Sequence, residues 1–180
     1  MKIQYASDLH LEFLENKSFL THRPLQAIGD VLILAGDIVP FAVINRHKDF
    51  FSYISDHFEK SYWIPGNHEY YYFDMKNKNT ILNEKIKENV FLVNNVAIDY
   101  KDIHLIFSTL WSKISKQNEW HIERGMSDFH VIKKDEIPFS TTDFNCLHEE
   151  SLSFISTELQ KTQDKGSRHP SPFYQLQIHK

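Results

Sequence analysis

The amino-acid sequence predicts an α/β fold with a mixed, largely parallel β-sheet at its centre and helices on the outside. Three segments with strand-like patterns, at 2–7, 31–35 and 61–64, each end at a loop that contains glycine or polar residues. A stretch with helical spacing separates the second segment from the third. The order strand, helix, strand favours parallel pairing through crossover connections.

The first two strands have different patterns. Residues 2–7 alternate apolar and polar side chains and lead directly to Asp8, which is typical of a short strand that ends in a loop. Residues 31–35 read Val-Leu-Ile-Leu-Ala and stop at Gly36. A continuous apolar run of this kind predicts a strand that is buried on both faces.

Helical and strand patterns continue to residue 107. For the second helix we expect Asp74 as the N-cap, and Ile81, Leu82 and Ile86 on the buried face. The predicted elements are a helix within 45–60, a strand at 61–64, a helix at 74–88, and strands at 90–93, 96–100 and 103–107.

The remainder of the chain is less regular. Residues 112–142 predict a long loop with a short helix near 119–124, and 143–161 predict a third long helix. The composition changes after Lys161. We therefore predict one domain at 1–162 and an atypical, disordered tail at 163–180.

Composition and charge limit the function classes. The chain has 180 residues, a net charge of −4 and scattered basic residues, which disfavours binding to bulk nucleic acid. A single cysteine, Cys146, cannot form an internal disulfide and so favours a reducing, cytoplasmic location. No apolar run is long enough for a membrane span, so we expect no membrane partner.

Polar motifs follow each of the three central strands. They are Asp8-Leu9-His10, Gly36-Asp37 and Gly66-Asn67-His68-Glu69. Each motif alone is more often an ordinary loop than a metal site. If the strands are parallel, however, all three loops leave the sheet at the same carboxyl edge, where open α/β folds gather their ligands. The sequence therefore predicts one shared pocket.

These motifs, in this order, resemble those of the calcineurin-like metallophosphoesterases. Resemblance to a bacterial branch of that family continues at 108–112, 124–130 and 147–151, so that it covers about 2–161. It implies a metallophosphoesterase fold, here an incomplete β-sandwich with helices outside. It also implies an enzyme that hydrolyses a small phosphoester or phosphodiester with a metal-bound hydroxide at a dinuclear site.

The resemblance also implies residue roles. Asp8 and His10 would bind a first metal, Asp37 would bridge two metals, and Asn67 would bind the second. His68 would be the catalytic residue, as proton donor or as a stabiliser of the transferring phosphoryl group. The cofactors would be divalent ions of manganese, iron, zinc or cobalt. Glu69 is expected to orient its neighbours, and no substrate-binding residue is predicted.

The chain departs from the family after residue 161. Members of the family add three further histidines, whereas the tail here is polar and contains Pro170 and Pro172. His169 and His179 are the late histidines, and each lacks a preceding strand that would aim it. We therefore expect a truncated chain that binds one ion or none and has impaired activity. It would also have an exposed sheet edge that favours self-association.

Two alternatives remain open at this stage. The chain could be a degenerate, inactive relative that works as a metal-binding or partner-binding module. The aromatic run 70–73 is as consistent with a substrate pocket as with core packing. Four further residues of the long loop region fit packing and surface roles better than a specificity loop: Trp111, His121, Asp128 and His130.

Overall fold

The computed structural model describes residues 1–78, 80–166 and 178–179, and its centre is a five-stranded sheet. The strands are β1 (Ile3–Ala6), β2 (Val31–Ala35), β3 (Lys60–Ile64), β4 (Leu82–Lys87) and β5 (Val90–Asn94). Their order in the sheet is β1-β2-β3-β5-β4. The first four in this order are parallel to one another, and β4 pairs antiparallel with β5 at the edge. The predicted mixed, largely parallel sheet is thus confirmed.

Both faces of this sheet are buried. Leu32 and Leu34 of β2 belong to one apolar cluster together with Trp63, whereas Val31 and Ile33 belong to a second cluster. Successive side chains of a strand point to opposite faces, so β2 supplies both clusters in turn. This explains why all five of its residues are apolar and buried.

Each face of the sheet has its own cover. Helix α1 (Leu14–His22) contributes no buried residue, and the sequence pattern did not predict it. Helix α2 (Lys48–His57) packs Phe51 and Ile54 into the first cluster, which confirms the helix predicted within 45–60. The antiparallel hairpin of β6 (Val96–Tyr100) and β7 (Ile103–Phe107) covers the second cluster. The architecture is therefore a partial sandwich with helices outside.

The helix predicted at 74–88 is wrong. The chain forms a single 3₁₀ turn at Met75–Asn77 and then strand β4. Asp74 does cap that turn, since its carboxylate accepts a hydrogen bond from the Lys76 N–H at 2.9 Å. Ile81 is exposed rather than buried. Antiparallel pairing with β5 after a tight turn outweighs the helical spacing of the apolar residues.

Short elements fill the region between the hairpin and the last long helix. The short helix predicted near 119–124 is confirmed, and the predicted helix 143–161 lies within a longer one. These elements are β8 (Thr109–Leu110), α3 (Glu119–Gly125), α4 (Asp128–Val131), β9 (Lys133–Lys134), β10 (Ile137–Pro138), α5 (Thr141–Gly166) and β11 (Ile178–His179).

The predicted tail at 163–180 falls largely outside the described residues, and so does His169. Within the described part, α5 continues to Gly166, and Ile178–His179 pairs parallel with β8. None of the helices in the described ranges has the length and apolar character needed to cross a bilayer.

Candidate metal centre

The loops after β1 and β2 are bonded to each other through their backbones. The Asp8 N–H donates to the Gly36 carbonyl at 3.0 Å, and the His10 N–H donates to the Asp37 carbonyl at 3.0 Å. These hydrogen bonds continue the alignment of the two parallel strands beyond their last paired residues. The two loops are therefore held side by side at the carboxyl edge of the sheet, as the sequence predicts.

Three of the four predicted ligands lie together. The ligand atoms of Asp8, His10 and Asp37 are all within 4.8 Å of one another. Asp37 is buried, His10 is half-buried and Asp8 is exposed, so the group is open to solvent on one side. Two carboxylates and an imidazole form a donor set that suits manganese, iron, cobalt or zinc. These residues thus fit one divalent cation.

The same three residues have unusual backbone conformations. The φ angles are 56° at Asp8, 45° at His10 and 57° at Asp37, in the left-handed region that residues with a Cβ seldom adopt. Such conformations cost on the order of 1–3 kcal/mol each and persist where the surrounding structure enforces them. The loops therefore hold these side chains in one place at a cost in folding free energy, which is typical of functional sites.

Glu69 fixes the loops after β2 and β3 to each other. Its side chain is fully buried, and its carboxylate accepts hydrogen bonds from the backbone N–H groups of Asp37 (2.9 Å), Ile38 (2.7 Å) and Gly66 (2.6 Å) and from the indole of Trp63 (3.1 Å). Burial raises the pKa of Glu69 to about 7, and these hydrogen bonds oppose that increase. This geometry agrees with the expectation that Glu69 orients its neighbours.

Asn67, the fourth predicted ligand, is held by Asp128. The Asn67 amide nitrogen donates to Asp128 Oδ1 at 2.9 Å, and the Tyr71 hydroxyl donates to the same oxygen at 2.8 Å. With its nitrogen engaged, Asn67 has its amide oxygen to offer to a cation. Burial and the Asp128 carboxylate raise the pKa of Tyr71, so its hydroxyl stays protonated as a donor.

His68 lies between the predicted ligands. Its backbone N–H donates to Asp37 Oδ1 at 3.2 Å. Its ring stands edge-on to His10, with 4.4 Å between ring centroids, and stacks on Tyr71 at 4.0 Å. Burial, and next the proximity of His10, lower the pKa of His68. The ring is therefore held in a defined plane and favours its neutral form.

Glu12 was missed by the sequence analysis. Its Oε1 atom lies 3.2 Å from His10 Nδ1 and 3.5 Å from His68 Nδ1, so it contacts two residues to which the resemblance gives a role. A signal did exist, because Glu12 follows Asp8 and His10 at the same spacing of two. With the left-handed backbone conformation at His10, the side chains of Asp8, His10 and Glu12 lie at the same edge of the sheet.

The aromatic run after His68 divides between core and surface. Tyr70 is buried in the first apolar cluster, and Phe73 packs against that cluster. Tyr71 contacts His68, whereas Tyr72 is exposed. Core packing is therefore confirmed for Tyr70 and Phe73, and a substrate-pocket role for Tyr71 stays a prediction.

The long region 112–142 also contributes to the edge of the sheet. Asp128, expected to be a packing or surface residue, lies against Asn67, and Trp111 is part of the apolar core. His121 and His130 are exposed. A cavity of about 220 Å³ lies beside Asn67 and Asp128, and Trp111, Lys113, Ile114 and Phe144 are among the residues that line it.

Comparison with known proteins identifies the family. The family model described as calcineurin-like phosphoesterase matches residues 1–165, so the chain belongs to the calcineurin-like phosphoesterase family. The match includes all the loops described above. Membership agrees with the parallel strands and with the placement of Asp8, His10 and Asp37 at their carboxyl edge.

Two individual proteins are similar to this chain. An uncharacterised protein of Acanthamoeba polyphaga mimivirus is 35% identical over an alignment 179 residues long, which covers 89% of this chain and 63% of that protein. The crystal structure of phosphopantetheinyl hydrolase from Mycobacterium tuberculosis aligns with a TM-score of 0.58 and 16% identity, covering 98% of this chain and 67% of the other. At that identity the second likeness concerns the fold. The chain thus spans less than two thirds of the viral relative.

Proposed function

We propose that this chain hydrolyses small phosphomonoesters or phosphodiesters with divalent cations, manganese among them, at the carboxyl edge of its central sheet. The observation that supports this most directly is the cluster of Asp8, His10 and Asp37, whose ligand atoms lie within 4.8 Å of one another in a member of the calcineurin-like phosphoesterase family. Each of the three residues comes from a loop that follows a parallel strand.

The two cations would have different numbers of protein ligands. Asp8, His10 and Asp37 would hold the first ion, and Asp37 and the amide oxygen of Asn67 would hold the second. Bound cations of this kind lower the pKa of a coordinated water and offset charge on the phosphate. With two ligands from the described residues the second ion would bind weakly, so we propose low turnover for the 180-residue chain.

His68 would stabilise the transferring phosphoryl group through Nε2 or, in its protonated form, supply the proton that the leaving oxygen needs. Its Nδ1 faces Glu12 at 3.5 Å, which leaves Nε2 as the nitrogen for contact with substrate. Stacking on Tyr71 limits rotation of the ring, and the backbone bond to Asp37 fixes its distance from the proposed ligands. Proton donation of this kind needs such positioning.

The cavity beside Asn67 would accept the organic part of the substrate. Trp111, Ile114 and Phe144 give it apolar walls, and Lys113 is among its other lining residues. Apolar walls with a few polar groups are typical of small-molecule sites. This arrangement favours a small ester with an apolar or aromatic leaving group over a bulky polymer.

A hydrolysis assay tests the proposal. The purified chain is given p-nitrophenyl phosphate and its diester, with and without Mn²⁺, alongside the variants Asp37→Ala and Asp8→Asn. We expect slow turnover that requires Mn²⁺ and falls at least about 100-fold in both variants, because each removes a direct ligand. Asp49→Ala is the matched control, since Asp49 is an exposed aspartate of α2 that belongs to neither group of candidate ligands.

The outcomes separate the proposal from its rival. Absence of Mn²⁺-dependent turnover, together with binding of one ion or none, would favour a metal-binding or partner-binding module instead. Fast turnover with two ions per chain would contradict the proposed impairment while keeping the enzyme class. Asp8→Asn is included because Asp8 is exposed, so that its loss leaves the fold intact.

A further inference from the structure

A second cluster of ligand-type side chains lies next to the first and shares one residue with it. The ligand atoms of His10, Glu12 and His68 are all within 4.8 Å of one another. All three side chains are partly shielded, with 20%, 17% and 26% of their surfaces exposed. Two imidazoles and one carboxylate form a donor set that is well known for zinc.

The separations in this cluster suit a tetrahedral ion. Zinc bonds to nitrogen and oxygen are about 2.0–2.1 Å long, so neighbouring ligands of a tetrahedral zinc lie about 3.3 Å apart. Glu12 Oε1 is 3.2 Å from His10 Nδ1 and 3.5 Å from His68 Nδ1. Little movement is therefore needed for these atoms to bind one ion.

Two atoms in the cluster lack hydrogen-bond partners. Glu12 Oε2 and His68 Nδ1 are inaccessible to solvent and have no partner among the described residues. A buried polar atom without a partner costs about 1–3 kcal/mol. A cation bound to the Glu12 carboxylate and to His68 Nδ1 would give His68 Nδ1 a partner and would balance the charge of the buried carboxylate, whereas a hydrogen bond between Glu12 and His10 does neither.

We propose that His10, Glu12 and His68 bind one zinc ion, at a site distinct from the group of Asp8, His10 and Asp37. A neutral imidazole has one nitrogen with a free lone pair, so His10 can bind an ion in one of the two groups at a time. Zinc in the second group therefore excludes a cation from the first and immobilises His68. This consequence for activity rests on the proposed function, but zinc binding itself does not.

Zinc titration of the full chain tests the site. Calorimetry compares the wild type with Glu12→Gln and with Glu15→Gln, in which the same change is made at an exposed glutamate of α1. Loss of an orienting neighbour alone weakens metal binding about 10–100-fold, so loss of a direct ligand in Glu12→Gln is expected to cost more than about 100-fold. Equal zinc affinity and stoichiometry in the two variants would overturn the proposal.

A second readout needs no change to Glu12. Co²⁺ replaces Zn²⁺ in the wild type and in Asp8→Asn, and its visible absorption reports the coordination geometry. We expect the intense bands of a tetrahedral ion in both proteins. Weak octahedral bands, or loss of the tetrahedral bands in Asp8→Asn, would overturn the proposal. In either case the ion would be bound by the group of Asp8, His10 and Asp37.

Displacement of manganese tests the exclusion. The electron paramagnetic resonance signal of free Mn²⁺ is followed as Zn²⁺ is added. We expect a lower Zn²⁺ concentration to release Mn²⁺ from the wild type and from Glu15→Gln than from Glu12→Gln. Identical release curves would contradict the exclusion. If the wild type binds no Mn²⁺ at all, the proposed function fails. The zinc titration then still tests whether His10, Glu12 and His68 bind zinc.

Discussion

Replacement of Glu69 by glutamine tests how the two ligand-bearing loops are held together. The buried carboxylate has a different set of donors on each oxygen. Oε1 accepts from the N–H groups of Ile38 and Val39 and from the indole of Trp63, and Oε2 accepts from the N–H groups of Asp37 and Gly66. Glutamine keeps one acceptor oxygen and places an NH₂ group where the other oxygen was.

The cost follows from the number of donors that lose their acceptor. In either orientation of the amide, at least two buried N–H groups face another donor, and each such group costs about 1–3 kcal/mol. Loss of the buried charge offsets part of this, so we expect Glu69→Gln to lose about 3 kcal/mol of unfolding free energy. For a domain of this size that corresponds to a decrease of about 6–12 °C in Tm.

Urea and thermal unfolding at about pH 8 measure the effect, because Glu69, with a pKa of about 7, is mostly ionised there. Glu88→Gln is the matched control. Glu88 is exposed and forms a surface ion pair with Lys85, so its replacement is expected to change stability by less than about 0.5 kcal/mol. Equal midpoints for the two variants would refute the view that Glu69 clamps the loops.

Two further predictions concern metal binding. Asp128→Ala removes the carboxylate that holds the Asn67 amide, so calorimetry is expected to give an affinity for the second Mn²⁺ ion about 10-fold lower than in the exposed control Asp102→Ala. Equal affinities for that ion would contradict this role. Mn²⁺ at about 100 times its Kd is expected to stabilise the wild type by about 2.7 kcal/mol, or about 5–11 °C in Tm. A chelator is expected to reverse the shift, and a shift that persists in Asp8→Asn would contradict the assignment of that residue.

Much of the fold was predictable because the apolar residues of the central strands indicate that these strands are buried. Residues 31–35 are apolar without interruption, and the structure buries this strand between two apolar clusters. The positions of Asp8 and Asp37 directly after their strands then place both at one edge, given parallel pairing. Parallel pairing and the shared carboxyl edge follow from local patterns and from topology rules.

The failures have a different cause, which is contact between segments far apart in sequence. Residues 82–87 carry helical spacing, yet pairing with β5 makes them a strand, and no local feature records the partner. Asp128 holds Asn67 across 61 positions of sequence. The spacing of two singles out Glu12, but its contacts with His10 and His68 also depend on the left-handed backbone at His10, which the sequence pattern does not predict.

The most direct test of the account is a crystal structure of the chain grown with Mn²⁺, with anomalous scattering recorded to locate the ion. We predict a manganese peak bound by Asp8, His10 and Asp37, at the carboxyl edge of the central sheet. An anomalous map in which manganese binds elsewhere, with these three side chains left without an ion at saturating Mn²⁺, would contradict the account.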